Sequence, residues 1–234
     1  AELDSATGPV EALGSAAVLR AARRTLSATI GVSDAVSSLA RAAGLPSVST
    51  VPVPVAEPVG VLLPAVQCQD ILVAARLAPD KGIDVVVDAF AMLGDAAAGS
   101  RLLIAGDGPS ESALRRRAAA LGERVVFLGW LDDLELSAVL GRVRAVVVAS
   151  IPARRPEGSS LAAVEAAAHR RVVVGSDDPA VAEVVTAIGA GPVVPAGDAA
   201  ALAGALGRLL SDDAAVEAYA AAAATGVARH SVGA

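Results

Sequence analysis

The sequence contains one cysteine, one lysine, one tryptophan, one tyrosine and two phenylalanines in 234 residues. A lone Cys68 cannot form an internal disulfide or a multi-cysteine metal site, and such a residue behaves as a small buried hydrophobe. His169 and His230 stand 61 residues apart with no ligand cluster around either, so the expected metal complement is none. Aromatics at 2% leave no platform for stacking bases or sugars. Nineteen basic residues against 25 acidic ones give a net charge of −6, the wrong sign for a nucleic-acid binder. The longest uncharged run, residues 42–56, is interrupted by Pro46, Pro52 and Pro54, whereas a spanning helix needs about 20 apolar residues. No transmembrane segment or secretory signal is therefore expected, and the expected compartment is the cytoplasm. The spacings D-x-D, G-x-S-x-G and G-x-x-x-x-G-K-[ST] do not occur. Nor does G-x-G-x-x-G, because Glu111 stands where its last glycine would be.

What is present is alanine, valine and leucine. Hydrophobic residues make up 54% of the chain, enough for a sizeable core. Short continuous apolar runs fall at residues 71–75, 102–105, 125–128, 145–149, 172–174 and 193–194. Continuous rather than alternating runs are the pattern of strands buried on both faces. Helical patterns separate them, at residues 83–93, 112–121, 134–140, 160–168, 180–187 and 199–210, with a last one at 213–224. Asp178-Pro179 reads as an N-cap followed by an N1 proline, and Asp198 as a second cap. The repeated strand–helix order predicts an α/β fold with a doubly wound, Rossmann-like parallel sheet. Residues 1–65 differ: a helix at 10–24, a strand at 28–32, a helix at 34–43, then a proline-rich stretch suited to an extended connector.

Two constellations lie where the carboxyl ends of strands should open into a crevice. Arg76 and Lys81, the only lysine, follow the run at 71–75 and could grip a diphosphate, the arginine as a fork and the lysine as a point charge. Glu157 and Glu165 follow the run at 145–149, on either side of Gly158-Ser159-Ser160-Leu161, where a serine should cap a helix whose first amides form an anion site. The bland alternatives are a solvated loop with an Arg76–Asp80 ion pair, and two surface acids. His169, ending a helix, reads as a charge compensating the helix dipole.

Together these pieces resemble the retaining glycosyltransferases of the GT-B fold, family 4 (glycosyl transferases group 1), over about residues 28–213. Ala75-Arg76-Leu77 with Lys81-Gly82 is similar to the family's G-R-L-x-x-x-K-G. Ile104 to Pro109 follows its I-x-G-x-G-P, and Val125 to Gly129 its V-x-F-x-G. Ser150, Glu157-Gly158 and Glu165-Ala166 follow its S…E-G…E-A. The resemblance implies hexosyl transfer with retention from a UDP-, GDP- or ADP-sugar, with no other cofactor. Catalytic roles would fall to Arg76, Lys81 and Glu157. Gly129, Trp130 and Leu131 would frame the base, Ser159, Ser160 and Leu161 would bind phosphate through the helix N-terminus, and Glu165 would bind the ribose. Departures include Ala75 for a glycine, His169-Arg170-Arg171-Val172 for C-G-T-P, and Pro179-Ala180 for a glycine pair.

By this resemblance residues 1–65 are a remnant of the N-terminal acceptor lobe with its linker. Residues 66–225 are the nucleotide-sugar-binding lobe, and 226–234 a tail. With the acceptor lobe largely missing, two readings stay open. The chain is the donor-binding part of an enzyme, or it is a non-catalytic nucleotide-sugar-binding or partner-docking module. The expected partners are the donor, an unknown acceptor, and a second copy or a separate chain carrying the acceptor lobe.

Overall fold

A computed structural model describes residues 18–152 and 160–230. Its contacts divide the chain into two units, residues 1–52 and 53–234.

In the first unit, helix α1 covers residues 18–25 and is followed by β1 (Thr29–Gly31), α2 (Asp34–Ala42) and β2 (Val48–Thr50). The expected helix at 10–24 falls partly outside the described residues. The two strands pair in parallel, Ile30 opposite Ser49. Ser33 starts α2 by accepting a hydrogen bond from the Val36 amide at 3.2 Å, as an N-cap serine does. Ile30 and Leu39 remain about two-thirds exposed.

The second unit carries six parallel strands: β3 (Ile71–Ala74), β4 (Leu102–Ala105), β5 (Val125–Gly129), β6 (Ala145–Val148), β7 (Val172–Ser176) and β8 (Val193–Val194). Their order across the sheet is β5-β4-β3-β6-β7-β8. The chain thus winds outward in one direction from β3 and then, from β6, in the other. Helices α3 (Ile83–Met92), α4 (Glu111–Ala118), α5 (Asp133–Leu140), α6 (Leu161–Ala168), α7 (Pro179–Ile188), α8 (Ala199–Ser211) and α9 (Asp213–Gly226) make the crossovers and the close of the chain. Alternate strand residues feed two cores. Ile71, Val73, Ile104 and Val147 meet α3 and α8, whereas Leu72, Leu103, Val146 and Val173 meet α6 and α7. Both faces are covered, which is why the strands read as unbroken apolar runs.

Caps stop and start the helices as the sequence anticipates. Asp178 is fully buried and accepts from the amides of Ala180 and Val181, with Pro179 at N1, and Asp198 accepts from Ala201. Asp132 and Glu135 form a reciprocal capping box on α5.

The proline-rich stretch from Val53 onward belongs to the second unit and is held there by hydrogen bonds. Ser137 Oγ accepts from the Val59 amide and faces the Val59 carbonyl, both at 3.0 Å, and the Leu63 amide donates to Gly141 at 2.9 Å. Two buried arginines extend this fastening. Arg171 donates to the carbonyls of Leu63, Val143 and His169 at 2.6–2.9 Å, and Arg144 to those of Val66, Cys68 and Leu209 as well as to the Asp213 carboxylate. Cys68 is buried between them. Burial pushes its thiol above the ordinary value, against the opposing pull of Arg171, so it is an inert core residue.

His169 differs from expectation. It is buried, its Nδ1 lies 2.8 Å from the Glu165 carbonyl and its Nε2 2.8 Å from Ser137 Oγ. Burial, and more weakly Arg171, holds its pKa below the usual value. It thus ends α6 with its ring against the Glu165 carbonyl, while burial disfavours the charged form that would compensate the helix dipole.

Candidate functional site

In doubly wound sheets the crevice opens where the winding reverses, outside the carboxyl ends of the two central strands. Here those strands are β3 and β6, and a cavity of about 200 Å³ lies at their ends. Its floor is the last residues of both strands. Arg76 and Lys81 stand on the β3 side, Ser150 on the β6 side, and Ser160, Leu161 and Ala162 close it with the first turn of α6.

The turn carrying Lys81 is set by close packing. Gly82 sits at φ 61°, and a Cβ there would collide with the Ala149 carbonyl oxygen at the end of β6. Pro79–Lys81 forms a single 3₁₀ turn, and the Asp80 carbonyl accepts the Ile151 amide at 2.9 Å. The β3 turn is thereby tied to the loop that leaves β6. Arg76 is half-exposed, and its Nη2 meets both Asp80 oxygens, at 3.0 and 3.1 Å. Gly106 and Gly108 serve the same end: a Cβ on either would strike the carbonyl of Ala75 or Leu77. Only glycine lets the β4 turn approach the chain around Arg76.

Ser160 occupies the N-cap position of α6, but its side chain makes no capping bond. Its Oγ is buried and has no hydrogen-bond partner, although the residue lines the cavity. An orphaned buried hydroxyl costs free energy unless something meets it. The contrast with other helices is informative. Aspartate side chains cap α5, α7, α8 and α9, whereas α3, α4 and α6 have no side-chain cap, and of these three α6 places its first turn in this cavity. Uncapped amides, an orphaned hydroxyl and two cations converge on one space, which favours an anion.

Four expected site residues lie apart from this cavity. Gly129 ends β5 at φ 73°, and its carbonyl accepts the Gly106 amide at 2.6 Å. Trp130 is 69% exposed beside it, and Leu131 packs partly against the core. Glu165 is one helical turn beyond Leu161 and shares its face of α6. Its carboxyl is half-buried, and burial, helped by the nearby charge of Asp133, raises its pKa above the ordinary 4.5. Asp133 opens α5, directly after the Gly129–Leu131 turn. Glu157 and Ser159 lie outside the described residues. Among the described residues no group of His, Cys, Asp or Glu could hold a metal ion, and no helix is long and apolar enough to cross a membrane.

Sequence reasoning gave Asp80 only as an ion-pair partner and overlooked the orphaned state of Ser160 Oγ. The first depends on which carbonyl the turn presents to Ile151, and the second on what α6 faces. Neither leaves a trace in spacing.

Comparison with known proteins agrees with this architecture. The chain is 39% identical over 152 residues to a phosphatidyl-myo-inositol mannosyltransferase of Mycobacterium leprae, covering 65% of this chain and 40% of that protein. It is 38% identical over 112 residues to a GDP-mannose-dependent α-(1-6)-phosphatidylinositol dimannoside mannosyltransferase of Mycobacterium tuberculosis, covering 48% and 28%. The chain thus spans well under half the length of these relatives. The crystal structure of Anabaena Alr3699/HepE in complex with UDP has the same fold, with a TM-score of 0.79 at 20% identity, covering 92% of this chain and 64% of that one. The model of the family described as glycosyl transferases group 1 matches residues 68–212, most of the second unit, and the chain belongs to that family.

Proposed function

We propose that the second unit is the donor-binding lobe of a retaining glycosyltransferase that moves a hexosyl group from a nucleoside-diphosphate sugar. The observation that supports this most is the convergence at the β3–β6 crevice of Arg76, Lys81 and the orphaned hydroxyl of Ser160 at an uncapped helix start. The diphosphate sits against these groups, and the nucleoside runs along α6 toward Glu165 and the Gly129–Leu131 turn. Glu165 accepts from ribose hydroxyls, and Trp130 and Leu131 border the base. By the family motif, Glu157 is the carboxylate assigned to the donor sugar.

As the nucleoside diphosphate leaves, negative charge grows on its phosphates. Fixed cations and helix amides stabilise that charge without reorganising. The anomeric carbon takes on oxocarbenium character, which a nearby carboxylate favours. No divalent metal is needed for donor binding, since the two side chains and the helix dipole supply the positive charge. The mycobacterial relatives make GDP-mannose the first donor to test, and phosphatidylinositol the first acceptor.

Calorimetry with GDP, UDP and ADP tests the core of this. One of the three binds, with and without EDTA, and Lys81→Ala weakens it about tenfold or more, as expected for a lost charged hydrogen bond. Absence of binding by all three at millimolar concentration refutes the donor site. Binding that EDTA abolishes and magnesium or manganese restores refutes its metal independence.

A further inference from the structure

We propose that Asp80 is a positioning residue for the donor diphosphate, acting through Arg76. Asp80 does not line the crevice, whereas Arg76 does. Both oxygens of its carboxylate grip one nitrogen of the guanidinium, Nη2, at 3.0 and 3.1 Å. Nε and Nη1 take no part in that contact, so their N–H groups remain to meet an anion, one on each side of the engaged nitrogen. The carboxylate is itself well shielded, with 14% of its side chain exposed, and the residue's backbone is fixed by the Ile151 amide.

A flexible arginine would otherwise have to be ordered when the ligand arrives, and ordering a long side chain weakens binding. Asp80 makes that ordering a property of the ligand-free protein. The exposure of Arg76 argues against the plain alternative that the pair serves stability, since exposed ion pairs add little to it. The same residue also links the arginine to the loop after β6, which leads to α6 and Ser160. The two walls of the crevice are thereby set by one turn. This role presupposes the nucleoside diphosphate proposed above.

The test is a double-mutant cycle on the full chain, read by calorimetry with UDP and GDP and with uridine and guanosine as controls. Asp80→Asn, which keeps shape and loses charge, weakens diphosphate binding roughly three- to tenfold. Nucleoside binding is unchanged, and Asp80→Glu recovers part of the loss. In an Arg76→Ala background the same change has no further effect. Unchanged or tighter diphosphate binding by Asp80→Asn overturns the proposal, as does an undiminished effect without Arg76. If Arg76→Ala weakens binding while Asp80→Asn does not, the donor site stands and only the role of Asp80 falls. If wild-type protein binds neither diphosphate, both fall. The ¹⁵Nε resonance of Arg76 in ligand-free protein gives a reading independent of affinity. It is restrained in the wild type and averaged in Asp80→Asn, and averaging already in the wild type refutes the proposal.

Discussion

Glu165 shows how one residue can be set against the fold that carries it. Burial and the charge of Asp133 raise its pKa, so the folded protein holds the proton more tightly than the unfolded chain does. Below its ordinary value near 4.5 both states are protonated and Glu165 costs nothing. As pH rises from there through the raised value the carboxylate must ionise half-buried, and stability is lost. Glu165→Gln therefore raises the melting temperature at pH 7–8, and the gain disappears below about pH 4.5. If the carboxylate binds ribose, the same variant weakens nucleotide affinity, so stability and binding move in opposite directions. Thermal melts across pH, with calorimetry at pH 7.5, check both. His169 has the opposite sign. Its lowered pKa means that the unfolded chain takes the proton first, so stability falls as pH drops below about 6.5. His169→Gln flattens that acid slope.

Elements were more legible than their contacts. All six apolar runs of the second unit are strands, because a strand buried on both faces needs nothing polar along its length. Asp178 and Asp198 cap as read, because a cap is a local bond across three residues. The burial of His169 and its contact with Ser137 were not legible, because Ser137 lies 32 positions away on another helix. Arg144 and Arg171 were not seen as buried, because their partners are mostly main-chain carbonyls that any sequence offers.

These long-range bonds now predict how the proline-rich stretch is held. Ser137 Oγ accepts from the Val59 amide and has a single proton to share between the Val59 carbonyl and the His169 ring. Ser137→Ala leaves those groups without their partner and costs about 1–3 kcal/mol. Amide exchange at Val59 should rise in that variant while exchange in β3 and β6 stays slow. Equal acceleration throughout would mean that the bond supports the whole unit rather than the stretch.

At the scale of the whole molecule, the second unit holds both cores, all six strands of the large sheet and every described residue of the candidate site. The sequence showed the parallel sheet and its family motifs, but the reversal of winding between β3 and β6 is a matter of strand order, which apolar runs do not encode. That reversal is what joins Arg76 and Lys81 to Ser160 across some 80 positions of chain. The contact division at Pro52 and Val53 then has a consequence for stability. A unit with its own cores should fold without its neighbour. Residues 53–234 expressed alone are expected to unfold in one cooperative transition and to bind the same nucleotide within about threefold of the full chain, since neither core nor crevice draws a described residue from 1–52. A start at residue 66 instead removes Val55, Val59 and Leu63, strips Arg171 of one carbonyl and Ser137 of its Val59 partner, and should melt earlier. Side-by-side melts of the two truncations decide whether the lobe begins at its first strand or at the proline-rich stretch that leads into it.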